Sequence, residues 1–263
     1  NTNILIFNFH GIIDSDFLGY SIPRNSGPYW EPGVNAGLSI LALVSNFILT
    51  KKVISKKNLI FIINIITSFS TTGYFLLFIF IIFFPRTRIF IRIVSLPILL
   101  IALLFMYNTI EFLGTKISSQ LQDIHMSSSG YSLVKVNRFG AFYVDVIDFL
   151  ENPFFGKGRD YRSRIKGFSN TMDYSLVHRN NGVSNYLVSY GFIVFIFYFY
   201  LIKKSFMNLC ISNNINKRFS WIILLMILIM GFSELYFRRP FFISFSLFFL
   251  IIKSNENKKI FKK

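Results

Sequence analysis

Followed for hydropathy alone, the chain alternates long apolar runs with short charged connectors. Residues 33 to 50, 93 to 110, 184 to 202 and 219 to 235 each come close to the ~20 helical residues that cross a bilayer. The run at 240 to 252 is short, and the one at 59 to 84 is long. Inside the long run, "SFSTTGY" separates two apolar halves, 58 to 69 and 72 to 84, and such a backbone break is tolerated only against protein or water, not lipid. Residues 138 to 150 follow a different rhythm, with Phe142, Val146 and Phe149 on one side. That spacing predicts a short helix lying against the membrane surface, ended by the Pro and glycines of "ENPFFGKG". The predicted fold class is an all-α integral membrane protein, a multi-span helical bundle with a large extracytoplasmic loop containing short helices.

Charge orients these runs. "KKVISKK" holds four lysines, "PRTRIFIR" three arginines, the stretch from Lys203 to Arg218 four basic residues, and the tail from Lys253 onward five, against a single acid, Glu256. The positive-inside rule puts all four segments in the cytoplasm. The 59 to 84 run must then cross twice or re-enter. The expected organisation is an extracytoplasmic segment at 1–32, membrane spans over 33–110 with the broken or re-entrant pair near 58–84, and a large outside loop at 111–183. C-terminal spans at 184–252 and a cytoplasmic tail at 253–263 follow, with a tight outside turn carrying Arg238 and Arg239.

Composition agrees with this class: 53% of residues are hydrophobic and Phe alone numbers 34. The formal charge of +16 comes from cations flanking apolar runs rather than forming one solvated face, which argues against nucleic-acid binding. One cysteine, Cys210, rules out an internal disulfide. The three histidines lie far apart with no Cys or carboxylate at ligand spacing, so no metal and no cofactor is expected. No ionisable residue falls inside the apolar halves, where ion-coupled transporters keep them.

Candidate chemistry concentrates outside. "IPRNSGPYWEPG" brings Arg24 and Glu31 to the entry of the first span. Interfacial arginine often only snorkels, but an acid there needs water or a partner, and Arg24 or Arg138 could supply it. "KGRDYRSRIK" sets five cations against one acid. Its arginines, Arg159, Arg162 and Arg164, suit an anionic ligand such as a lipid diphosphate, with a solvated basic face touching headgroups as the alternative. "GKG" reads as a turn. His178, just before the 184–202 span, is either a packing residue or a base suited to neutral pH.

Taken in order, four of these segments resemble the O-antigen polymerase and O-antigen ligase superfamily of bacterial integral-membrane glycosyltransferases: "RNSGPYWEPGVNAG", "SFSTTGYFLL", "NRFGAFYVDVIDFLENPFFGKG" and "HRNNGVSNYLVSYG". "WEPG" favours a polymerase. The family carries Ser or Thr between its His and Asn, where this chain has Arg179 ahead of Asn180 and Asn181. Family members have further spans upstream, so this chain, opening "NTNILIF", is expected to be the C-terminal part of a longer protein. The resemblance implies polymerisation of lipid-linked oligosaccharide repeat units, of O-antigen or capsular type, on the outer face of the bacterial inner membrane. The donor would be a polyprenyl diphosphate, with a chain-length regulator as an expected partner besides membrane lipids. By the same resemblance Arg24 and Arg138 would hold the diphosphate, His178 would orient or deprotonate the acceptor hydroxyl, and Glu31 would position Arg or acceptor. Ligation to lipid A core or protein is the alternative enzyme reading, and a lipid-linked oligosaccharide flippase the alternative outside the enzymes.

Overall fold

In a computed structural model, residues 14–17, 20–29, 31–52, 55–83, 138–160 and 180–260 are described. The chain divides into two compact units, Asn1–Thr115 and Lys116–Lys263. The span expected at 93–110, the segment "PRTRIFIR", and residues 111–137 and 161–179 of the outside loop lie outside the described residues.

The first unit opens with a short antiparallel hairpin, β1 (Asp14–Phe17) and β2 (Tyr20–Pro23), in which Asp14 faces Pro23 and Phe17 faces Tyr20. The all-α expectation did not contain it. Its sequence signal is modest, an aromatic in each strand, Phe17 and Tyr20, and one β-branched residue, Ile22. Helix α1 (Pro32–Thr50) follows, with proline in its first turn, where the missing N–H costs nothing. Ser55 then caps α2 (Lys56–Thr67) by accepting from the Asn58 N–H, and Ser70 caps α3 (Thr71–Ile82) by accepting from the Gly73 N–H. These are the two short halves expected around "SFSTTGY", parted at Ser68–Ser70.

Helix α1 packs against both α2 and α3, burying Ile40, Val44, Phe47, Ile65, Leu76 and Phe80. Amides lace the same surfaces: Asn46 donates to Asn58 at 2.6 Å, and Asn64 donates to Ser39 at 2.6 Å and Asn35 at 3.1 Å. Every one of these polar side chains sits on an otherwise apolar helix. Mutual bonding removes the cost of burying them.

The second unit contains α4 (Arg138–Glu151), α5 (Gly182–Ser212), α6 (Phe219–Ser233) and α7 (Pro240–Ile260), with α5 packed against the other three. Two boundaries differ from expectation. Helix α5 runs on to Ser212 rather than stopping near 202, and α7 continues through residues 253–260, expected as tail. Neither "KKSFMNLCIS" nor "KSNENKK" contains Pro or Gly, so a change of polarity ends the apolar run without ending the helix. Among the described residues, α1 and α5 are long and apolar enough to cross a membrane.

The larger surprise lies within α5. Gly191 has φ 77° and ψ 175°, which breaks the helix in the middle of its apolar stretch. A break frees carbonyls behind it and an N–H ahead of it. The turn after α4 occupies all three positions: Lys157 N–H donates to the Val188 carbonyl at 2.7 Å, Gly158 N–H to Ser189 at 3.1 Å, and Phe192 N–H to Pro153 at 2.8 Å. Gly156, at φ 72°, makes the turn fit, since a Cβ there would stand 2.5 Å from the Val188 carbonyl oxygen. "ENPFFGKG" and "VSYG" are therefore two halves of one joint.

Gly191→Ala tests that joint. The backbone conformation is almost glycine-only, and the added Cβ would collide with the Phe154 carbonyl. Thermal unfolding of the purified protein in detergent should show a loss of at least about 1–3 kcal/mol. An unchanged midpoint would mean that the break is not built as described.

Candidate functional site

In the first unit, Arg24 leaves β2 and turns its guanidinium onto the end of α2. Nε donates to the Ser68 carbonyl at 3.3 Å and Nη2 to the Phe69 carbonyl at 3.0 Å, while Asn25 N–H takes the Thr67 carbonyl at 3.0 Å. Three consecutive carbonyls exposed by the "SFST" break are thereby satisfied. A cation at a helix C-terminus is also favoured by the helix dipole. Glu31 is the extended N-cap of α1; its carbonyl accepts from the Val34 and Asn35 N–H groups, and its side chain makes no capping bond. Its negative charge at that end of α1 again suits the dipole. Beside them lies a cavity of about 470 Å³ whose lining includes Asn25, Tyr29, Asn35, Ser39, Phe61 and Asn64.

In the second unit, Arg138 is the first residue of α4 and treats α6 as Arg24 treats α2. Its Nε donates to the Ser233 carbonyl at 2.6 Å and its Nη2 pairs with the Glu234 carboxylate. Glu234 is thus a carboxylate partner of Arg138 that the sequence reading did not name. Glu234 is nearly fully buried, so its pairing in a poorly solvated place matters far more than a surface ion pair would. The sequence did carry a signal for it, an acid closing an apolar run in "FSELYFRRP".

Asn181 ties this cluster to α5. Its Oδ1 accepts from Ser184 N–H as N-cap, and its Nδ2 donates to the Arg138 carbonyl at 3.3 Å. Of the two asparagines in "HRNN", this one carries the local structure. One turn on, Asn185 is buried with neither amide atom hydrogen-bonded. A further turn on, the Ser189 hydroxyl receives the Arg238 guanidinium, which also stands 6.0 Å from the Tyr190 ring centre. A polar stripe, Asn181, Asn185 and Ser189, thus runs along one face of α5 with one arginine at either end, Arg138 and Arg238.

The basic run divides between structure and surface. Lys157 is half-buried, its side chain mostly covered, and is bonded to Asp148 at 3.2 Å and to Glu151 at 2.8 Å. Burial works against its charge, but the hydrogen bonds and negative charges of Glu151 and Asp148 outweigh that and raise its pKa above the usual lysine value. The stabilisation is therefore fully present below the ordinary lysine pKa and is lost only as pH rises through the elevated one. Arg159 is exposed, beyond the opposite end of α4 from Arg138. His178, Arg162 and Arg164 lie outside the described residues. Among the described residues no three His, Cys, Asp or Glu side chains gather to hold a metal ion.

Two outcomes follow. Lys157→Met leaves Asp148 buried without its cation and should cost about 3–5 kcal/mol in denaturant unfolding, with Asp148→Asn added on top recovering part of the loss. If the double variant is no better than the single one, the pair is not the source of the stability. Asn185→Leu removes an amide that has no partner and keeps its branched outline, so thermal stability should rise by about 1–3 kcal/mol. A fall instead would show that the amide is bonded in the working protein.

In comparisons with known proteins, the chain matches no family model and no curated protein at a significant level.

Proposed function

We propose that this chain is an integral-membrane glycosyltransferase of polysaccharide-polymerase type, joining oligosaccharide repeat units from a polyprenyl diphosphate donor outside the cytoplasm. The observation that supports this best is the way Arg138 is held. A guanidinium fixed through Nε to the Ser233 carbonyl and through Nη2 to Glu234 is oriented before any ligand arrives, and oriented cations are what a departing diphosphate requires. Arg24, fixed on Ser68 and Phe69, has the same character in the other unit. In this reaction the acceptor hydroxyl attacks the anomeric carbon as the bond from that carbon to the diphosphate breaks. The electron pair leaves with the diphosphate, and the hydroxyl proton passes to His178, three positions before Asn181 in the chain.

One observation favours a second reading. Both arginines spend donors on carbonyls at helix C-termini, which is also what purely structural caps do. Lysine substitution separates the two, because it keeps the charge and loses the planar fork.

The test measures polymer formed from a purified lipid-linked repeat unit, together with thermal stability, for Arg24→Lys, Arg138→Lys and His178→Ala at matched membrane levels. Loss of one charge-assisted bond, about 1.5–3 kcal/mol, predicts roughly ten- to hundredfold slower turnover for either lysine variant, and His178→Ala should lose roughly 10² to 10⁴. Lysine keeps one donor on each helix end, so these losses of turnover would exceed what any accompanying fall in stability explains. Activity that falls only in step with stability supports the cap reading. Full activity in all three variants sinks the enzyme proposal at these residues.

A further inference from the structure

Helix α4 is turned inside out relative to a helix packed against a water-soluble body. Its buried face carries Ala141, Asp145 and Asp148, the two carboxylates being 0% and 3% exposed. Its outward face carries Phe139, Phe142, Tyr143, Ile147 and Leu150, the last 68% exposed. Spacings of three and four residues place each set on one side of the helix. The turn that follows adds Phe154 and Phe155 at 61% and 83% exposed. The expected helix is present, but its outward set differs from Phe142, Val146 and Phe149, the last two being only half-buried.

The inward polar groups are already bonded. Ser184 donates to Asp145 at 2.6 Å, and Lys157 bridges Asp148 and Glu151. Much of the turn's backbone is bonded within the protein as well: Asn152 N–H goes to Phe149, Gly156 N–H to Asn152, Lys157 and Gly158 N–H groups to the opened α5, and the Pro153 carbonyl accepts from Phe192 N–H. Backbone that has its partners within the protein is the kind that can enter a hydrocarbon layer.

Position along α5 fixes the depth. Past the break, α5 leaves Phe192, Ile193, Ile196 and Phe197 exposed, and Lys203 and Lys204 follow. Gly191 to Lys203 is about 18 Å of helix rise, short of the ~30 Å hydrocarbon thickness. With the two lysines at one membrane boundary, the turn seated on Gly191 falls inside the far leaflet.

Resting on the reading of this chain as a membrane protein, we propose that α4's aromatic face and the Phe154–Phe155 turn are embedded in the acyl region of that far leaflet. The occupant of this face is lipid, and residues 138–158 form a membrane-seated wedge rather than part of a water-exposed loop. The exposed apolar flank of α5 continues onto the turn at Phe192, so one lipid-facing surface covers both.

The experiment places a nitroxide at Phe155→Cys, at Phe197→Cys on the flank of α5, and at Asn213→Cys beyond its end, each in a Cys210→Ala background of the full chain in phospholipid nanodiscs. Collision with oxygen is compared with collision with a water-soluble nickel chelate. Labels at 155 and 197 should be severalfold more accessible to oxygen, and the label at 213 to the chelate. Chelate access at 155 with oxygen access at 197 overturns the wedge and leaves the membrane reading standing; chelate access at both overturns the two together. Strong spin–spin broadening at 155 identifies a second copy as the occupant and also overturns it. Where the cysteine variants do not fold, Phe155→Trp with Trp30 and Trp221 replaced by Phe gives the same answer from quenching by acyl-brominated lipid. Strong quenching supports the wedge, and none overturns it.

Discussion

A carbonyl or N–H released by a broken helix in apolar surroundings must find another partner, and the described structure is arranged around that demand. Among the described residues three interruptions share one kind of closure: after α2 at Ser68–Ser70, within α5 at Gly191, and after α6 at Ser233–Glu234. Each is closed by a segment far away in sequence. Arg24 and Asn25 close the first, the turn at 153–158 the second, and Arg138 the third. An unpaired backbone group costs several kcal/mol where water is absent, so these contacts decide whether the breaks can exist at all.

The same scarcity of water explains the distribution of polar side chains. Amides on α1 and α2 bond to each other, and the carboxylates of α4 turn inward to Ser184 and Lys157. Large apolar side chains meanwhile face outward along α4 and α5. A protein folded against water would lose free energy on both counts. In the membrane setting proposed for this chain, bonded polar interiors and apolar exteriors are the favourable arrangement, with interhelical hydrogen bonds acting as glue.

Much of the secondary structure was legible because its signals are local. The Ser/Thr/Gly interruption between α2 and α3, the three-four spacing of α4 and the proline and glycines that follow it each act within a turn or two of helix. Gly191 shows where that legibility ends. A single glycine in an apolar run is usually tolerated as helix, and only the turn lodged against it, some thirty-five residues earlier, turns it into a break. At the candidate site the arginines could be selected from sequence, but Glu234 as partner of Arg138 could not, since nearly a hundred positions separate them. Asn185 carries no local mark that distinguishes it from its neighbours at all; only burial among the surrounding helices leaves its amide unbonded.

The order of these contacts along the chain has a consequence for biosynthesis. In all three closures the plugging segment precedes the break that it fills: Arg24 comes before Ser68, Lys157 before Val188, and Arg138 before Ser233. Chains are made from the N-terminus, so each interrupted helix leaves the ribosome when its plug is already synthesised. No break has to wait, with its carbonyls open, for a part of the protein that does not yet exist.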